Sequence, residues 1–199
     1  MKYSTQLKSL AFALSLAIPF AVQAESSVVT GAGALSTNAR VDFTVVIPKI
    51  LFLRVGAAGA GIDLITFTVP SGSVGNATPI AGTGGDLTGG VVTAVVQANS
   101  GTVTLNATSG GALSNGAGDS IPYSQIVTAA ATLTTGTILP APVLANGASG
   151  NVTLTPVSKI VNQDARWTYT YANGAVVPAG TYGGVGVNNG RVTYTASMP

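Results

Sequence analysis

Side chains able to do chemistry are few, and their spacing keeps them apart. The 199 residues include no histidine and no cysteine, with six carboxylates and eight basic groups. That removes the Ser-His-Asp triad, the cysteine nucleophile and the usual zinc ligands. For acid–base work there remain Asp42, Asp63, Asp86, Asp119 and Asp164, each on a separate segment and each expected at the surface. A catalytic pair also needs an orienting partner and donors aimed at the developing charge, and no segment supplies them. Asp164 and Arg166 alternate onto one strand face, which suits a surface ion pair of small value. The sequence predicts a protein that is not an enzyme, with no catalytic residue, no cofactor and no metal.

Three other motifs invite chemistry. Residues 82–87 (GTGGDL) suggest a phosphate loop, but no Gly-Lys-Ser/Thr follows and no βαβ pattern surrounds them. They read as a flexible surface loop. The Gly84-Gly85-Asp86 run occurs once, whereas calcium-binding Gly/Asp repeats need stacked copies. Asn76, Asn106 and Asn151 open N-x-T sequons, which a chain rich in Asn and Thr produces by chance. Trp167, Tyr169 and Tyr171 share one strand face. Exposed, they would make a sugar-stacking platform; buried, they would anchor a core, the more common place for a lone tryptophan in a sandwich.

The elements that must carry these residues begin with a leader. Lys2 and Lys8 precede an apolar run over residues 10–20, broken only by Ser15, and Val22 and Ala24 suit positions −3 and −1 of a cleavage site. This is the pattern of a secretory signal removed after Ala24. The run is shorter than the ~20 residues a membrane span needs, and no later stretch qualifies. Removal takes two lysines, leaving six basic and six acidic residues and a formal net charge of zero. The remaining cations are scattered, which argues against nucleic acid as a partner. A chain with 7% charged residues and no net charge has little repulsion to keep copies apart.

After the leader the periodicity is that of strands. Val41, Phe43, Val45 and Ile47 alternate as in a half-buried strand that Pro48 must bend or end, and residues 50–55 continue it. Residues 65–69 alternate up to Pro70. Residues 91–97 and 102–108 read as a hairpin turning at Asn99-Ser100-Gly101, with Val103, Leu105 and Ala107 inward. Residues 121–126 form an edge or strand start, and residues 151–157, 166–171 and 191–197 complete the set. Gly-rich stretches at 56–61, 72–90, 110–118 and 183–190 supply turns. The expected fold is a single antiparallel β-sandwich of immunoglobulin-like character over residues 39–199. A membrane barrel fits less well, since the strands are short and aromatics scarce for two girdles.

The closing stretch, Val177-Pro178-Ala179-Gly180-Thr181-Tyr182 followed by Gly190-Arg191-Val192-Thr193-Tyr194-Thr195-Ala196, resembles the final strands of bacterial fimbrial subunits of the chaperone–usher type. The leader and the proline-broken strand over residues 45–51 agree; the middle resembles them only in style, and the Cys pair of many such pilins is missing. The resemblance implies an incomplete sandwich, completed when the next subunit adds a strand to its open edge. It implies export through the periplasm to a cell-surface fimbria. The implied partners are other copies or related subunits, a periplasmic chaperone and an outer-membrane usher. Residues 25–38 would be the donor extension, with Val29, Gly31, Gly33 and Leu35 on one face. The final strand, with Val192, Tyr194, Ala196 and Met198 on one face, would be the edge that the chaperone pairs with. A monomeric secreted binding module is the alternative.

Overall fold

The computed structural model describes residues 26–134 and 136–199; the expected leader over residues 1–24 lies outside them. Contacts divide the chain into two units, Met1–Ile47 and Pro48–Pro199. In the first unit the described residues form no strand. A bend at Ala32 and Gly33 brings the chain back on itself, and the Thr37 hydroxyl donates to the Ser27 carbonyl at 2.8 Å. The strand expected over residues 40–47 is not made, and Val41, Phe43, Val45 and Ile47 are 73–88% exposed. Alternation alone does not hold a strand; it needs a ladder partner and an apolar face to cover.

In the second unit the strands are β1 (Leu51–Val55), β2 (Ile65–Thr66), β3 (Ile80–Ala81), β4 (Thr83–Gly84), β5 (Val91–Ala98) and β6 (Val103–Ser109). There follow β7 (Leu113–Ser114), β8 (Ser120–Ile121), β9 (Ile126–Ala131), β10 (Thr137–Ile138), β11 (Val152–Leu154), β12 (Val161–Tyr171) and β13 (Val192–Ser197). Two single-turn 3-10 segments, Ser71–Ser73 and Tyr123–Gln125, each follow a proline. No helix among the described residues is long and apolar enough to cross a membrane.

The fold is an all-β sandwich. One sheet runs β1-β5-β12, with β9 and β10 on the far side of β12, and β3 taking over from β5 at Thr170 and Tyr171. The other runs β11-β6-β13. All pairs are antiparallel except β10 with β12. Period-two alternation fixes what lies between the sheets. Val92, Ala94, Val96 and Ala98 come from β5, and Val103, Leu105 and Ala107 from β6. β12 adds Val161, Ala165, Trp167, Tyr169 and Tyr171. Trp167 is fully buried opposite Val92, and its indole N–H donates to the Leu139 carbonyl at 2.9 Å.

The expected hairpin is instead an arch. β5 and β6 are consecutive, but β5 lies between β1 and β12 while β6 lies between β11 and β13. Their connection crosses from one sheet to the other, and its polar groups are satisfied by neighbouring segments. The Asn99 side chain accepts from Ile50 N and donates to the Pro48 carbonyl, both at 2.8 Å, and Gly101 N donates to the Lys159 carbonyl. The sequence reading placed the turn correctly but not its partners. With both strands apolar on one face, facing sheets bury those faces as well as a shared sheet does.

Candidate functional site

In the second unit each Asp side chain is committed to local structure. Asp63 accepts from Ala57 N at 2.6 Å; a side chain at Gly56, where φ is +90°, would strike that carboxylate. Asp86 accepts from Thr93 N at 2.7 Å and pairs with Arg54 at 3.3 Å. Its side chain is only 10% exposed, so the expected surface position is wrong. Residues 82–87 are correspondingly held rather than loose: Leu87 N donates to Val91 O and Gly90 N to Gly84 O. Asp119 accepts from the Asn115 amide at 2.7 Å. Asp164 takes its bonds from Thr134, the hydroxyl at 2.7 Å, in place of the expected pairing with Arg166. The face of Trp167, Tyr169 and Tyr171 points into the core, so it offers no exposed platform for a sugar.

What stands out is a seam. β1 ends one sheet and β13 ends the other. They run in opposite directions with Cα atoms within 8 Å, yet no ladder joins them. At its lower end Lys49 Nζ donates to the Pro199 carbonyl. Each strand keeps a row of backbone N–H and C=O groups that no ladder uses. Val192, Tyr194, Ala196 and Met198 lie together on the inward face of this edge, as the alternation requires, but all four are only half-buried. Leu53 and Val55 of β1 face the same core and are also half-buried. The core is closed at its centre and thinly covered along this side.

Tyr194 is the link between seam and core. Its ring packs on Trp167 with centroids 5.2 Å apart, and its hydroxyl shares a 2.7 Å hydrogen bond with that of Tyr169. Burial pushes the Tyr169 phenol up to about 12. Burial, and then the neighbouring Tyr169, push Tyr194 well above the usual tyrosine value. Both stay neutral at physiological pH and act as a hydrogen-bonded pair, not as acid or base.

The other expected site residues are not so arranged. Val29 and Leu35 are about half exposed, and Gly31 and Gly33 are open to solvent. The bend at Ala32 and Gly33 falls between them, so the four share no extended face. The sequence reading also missed the β1 side of the seam, although the apolar run after Pro48 marks a second edge beside the first. On the opposite flank a cleft of about 650 Å³ is lined by Ile138, Pro140, Leu154, Val157, Ile160 and neighbouring threonines, with no titratable group. No family model, curated protein or solved structure matches the chain.

Proposed function

We propose that this chain is an exported structural subunit of a bacterial surface fimbria, joined to its neighbours by strand addition. The observation that carries the reading is the seam: two adjacent edge strands with no ladder between them and an apolar row left half-covered. An unpaired apolar edge is a liability that soluble proteins normally blunt with charge, proline or a bulge. β13 carries no charged residue and no proline, and its exposed positions are Thr193, Thr195 and Ser197. Such an edge is better explained as a surface kept for a partner strand. The resemblance of residues 177–196 to fimbrial closing strands, the leader pattern and the near absence of net charge support the same reading.

In this reading the partners are other copies or related subunits. A periplasmic chaperone pairs with the row at Val192, Tyr194, Ala196 and Met198 before assembly, and an outer-membrane usher then receives the subunit. The test is the state of the purified mature chain. Concentration-dependent oligomers by size exclusion, and filaments by electron microscopy, are expected. A strictly monomeric chain with a fully protected β13 edge would overturn the proposal and favour a monomeric secreted module.

A further inference from the structure

We propose that the strand entering the seam is residues 40–47 of a second copy, and not residues 25–38. This rests on the strand-addition reading and names its donor. Residues 40–47 are the one described segment whose alternation is complete while its apolar face is uncovered: Val41, Phe43, Val45 and Ile47 are 73–88% exposed. The seam has the reciprocal deficit, with Val192, Tyr194, Ala196 and Met198 half-buried at the same period. Four donor side chains at spacing two meet four acceptor positions at spacing two, so one register can seat all of them.

Length also fits. Eight residues in extended form span about 26 Å, enough to run beside β13 and, once the seam opens from Cα separations within 8 Å to the ~9.5 Å of two ladder spacings, to pair with β1 on the other side. Covering four such side chains removes roughly 300–400 Å² of apolar surface from water on the donor alone. Two backbone ladders and the newly covered acceptor row bring the contact toward the ~800 Å² per partner of a stable interface. Residues 25–38 offer less. Gly31 and Gly33 present no side chain, and the chain bends between Val29 and Leu35.

A second copy is the favoured source because the chain is pinned immediately after residue 47. The Pro48 carbonyl and the Ile50 amide are both held by Asn99, which fixes the chain where it enters β1. Only three residues separate Ile47 from Leu51, and Pro48, which fixes φ and lacks an N–H, is one of them. A tight return of residues 40–47 onto their own β1 would have to break the Asn99 contacts.

The absence of native cysteine allows a clean test. Full-length mature chains carrying Val45→Cys with Ala196→Cys, or Val29→Cys with Ala196→Cys, are oxidised and sized. The Val45 pair is expected to give a ladder of disulfide-linked oligomers and the Val29 pair at most a tenth as much. In parallel, Phe43→Asp with Val45→Asp should lower assembly at least tenfold while leaving the thermal midpoint of the monomer unchanged, because both side chains are exposed in it. Deletion of residues 26–38 should leave assembly within twofold. A ladder from the Val29 pair alone, with assembly lost on that deletion, would overturn this assignment and keep strand addition. A disulfide-closed monomer from the Val45 pair would show insertion into the chain's own seam and overturn the second copy as occupant. No cross-link from either pair in a chain that never assembles would overturn both readings.

Discussion

Tyr169 and Tyr194 share one hydrogen bond in a setting where neither hydroxyl can turn to water without cost. Tyr194→Phe removes one partner and leaves the other phenol buried and unpaired. It should therefore destabilise the fold by about 1–3 kcal/mol, whereas the Tyr169→Phe/Tyr194→Phe double variant should lose less than the sum of the two single changes. Urea midpoints of the four proteins measure this, and strict additivity would refute the coupling. pH gives a second check. Burial raises Tyr123 and Tyr169 to about 12, above the ordinary tyrosine value of 10.0. The unfolded chain gives up these protons first, so their contribution is complete below pH 10 and is lost as pH rises from 10 toward 12. The urea midpoint is expected to hold between pH 7 and 9 and to fall steadily above 10; a midpoint that rises with pH in that window would contradict the assignment. Asn173 sets a third test. Buried at 1% exposure with φ +53°, it accepts from Gly75 N at 2.9 Å and donates to the Ser73 carbonyl. Asn173→Ala should cost at least 2 kcal/mol, since it leaves those groups unpaired and puts alanine in a left-handed backbone. A loss under 0.5 kcal/mol by urea titration would show that water replaces the side chain there.

Elements were legible wherever the residues alone decide them. The inward rows of β5, β6, β12 and β13 follow from alternation, and burial at Val103, Leu105, Ala107 and Trp167 matches the sequence reading. What alternation cannot give is the partner of a strand. Residues 91–98 and 103–109 carry the same pattern whether they share a sheet or face each other, and the arch is decided by Asn99 and Gly101 bonding to segments 50 and 159. Residues 40–47 carry a strand's pattern and form no strand, because alternation by itself supplies no ladder. Asn173-Gly174 is a turn dipeptide that the sequence reading passed over. Its ties to residues 73–78, nearly a hundred positions away, were not readable. The edge role of β13 was legible, since residues 192–197 alternate without a single charge. The β1 half of the seam was not, because an edge is a property of sheet order. Tyr194→Asp tests that edge: a carboxylate placed against Trp167 and Tyr169 should cut the yield of soluble protein severalfold, and an unchanged yield would mean the row is not part of the core.

At the scale of the whole molecule, stability is unevenly distributed, and the proposed function depends on that. The centre, built from β5, β6 and β12, has ladders on both sides of every strand and side chains at or near zero exposure. β1 and β13 each have one ladder and half-covered side chains. Amide exchange reports such differences directly, since edges open locally while the core waits for global unfolding. In the monomeric chain the amides of β1 and β13 should therefore exchange at least tenfold faster than those of β5 and β12. If a strand fills the seam on assembly, both edges gain a second ladder, and their exchange should slow by at least tenfold in the polymer while the centre changes little. A polymer held through any other face would leave β1 and β13 as fast as in the monomer and slow a different region. The experiment thus locates the interface without assuming where it lies, and retention of fast exchange along both seam strands in assembled material would remove the structural basis for strand addition.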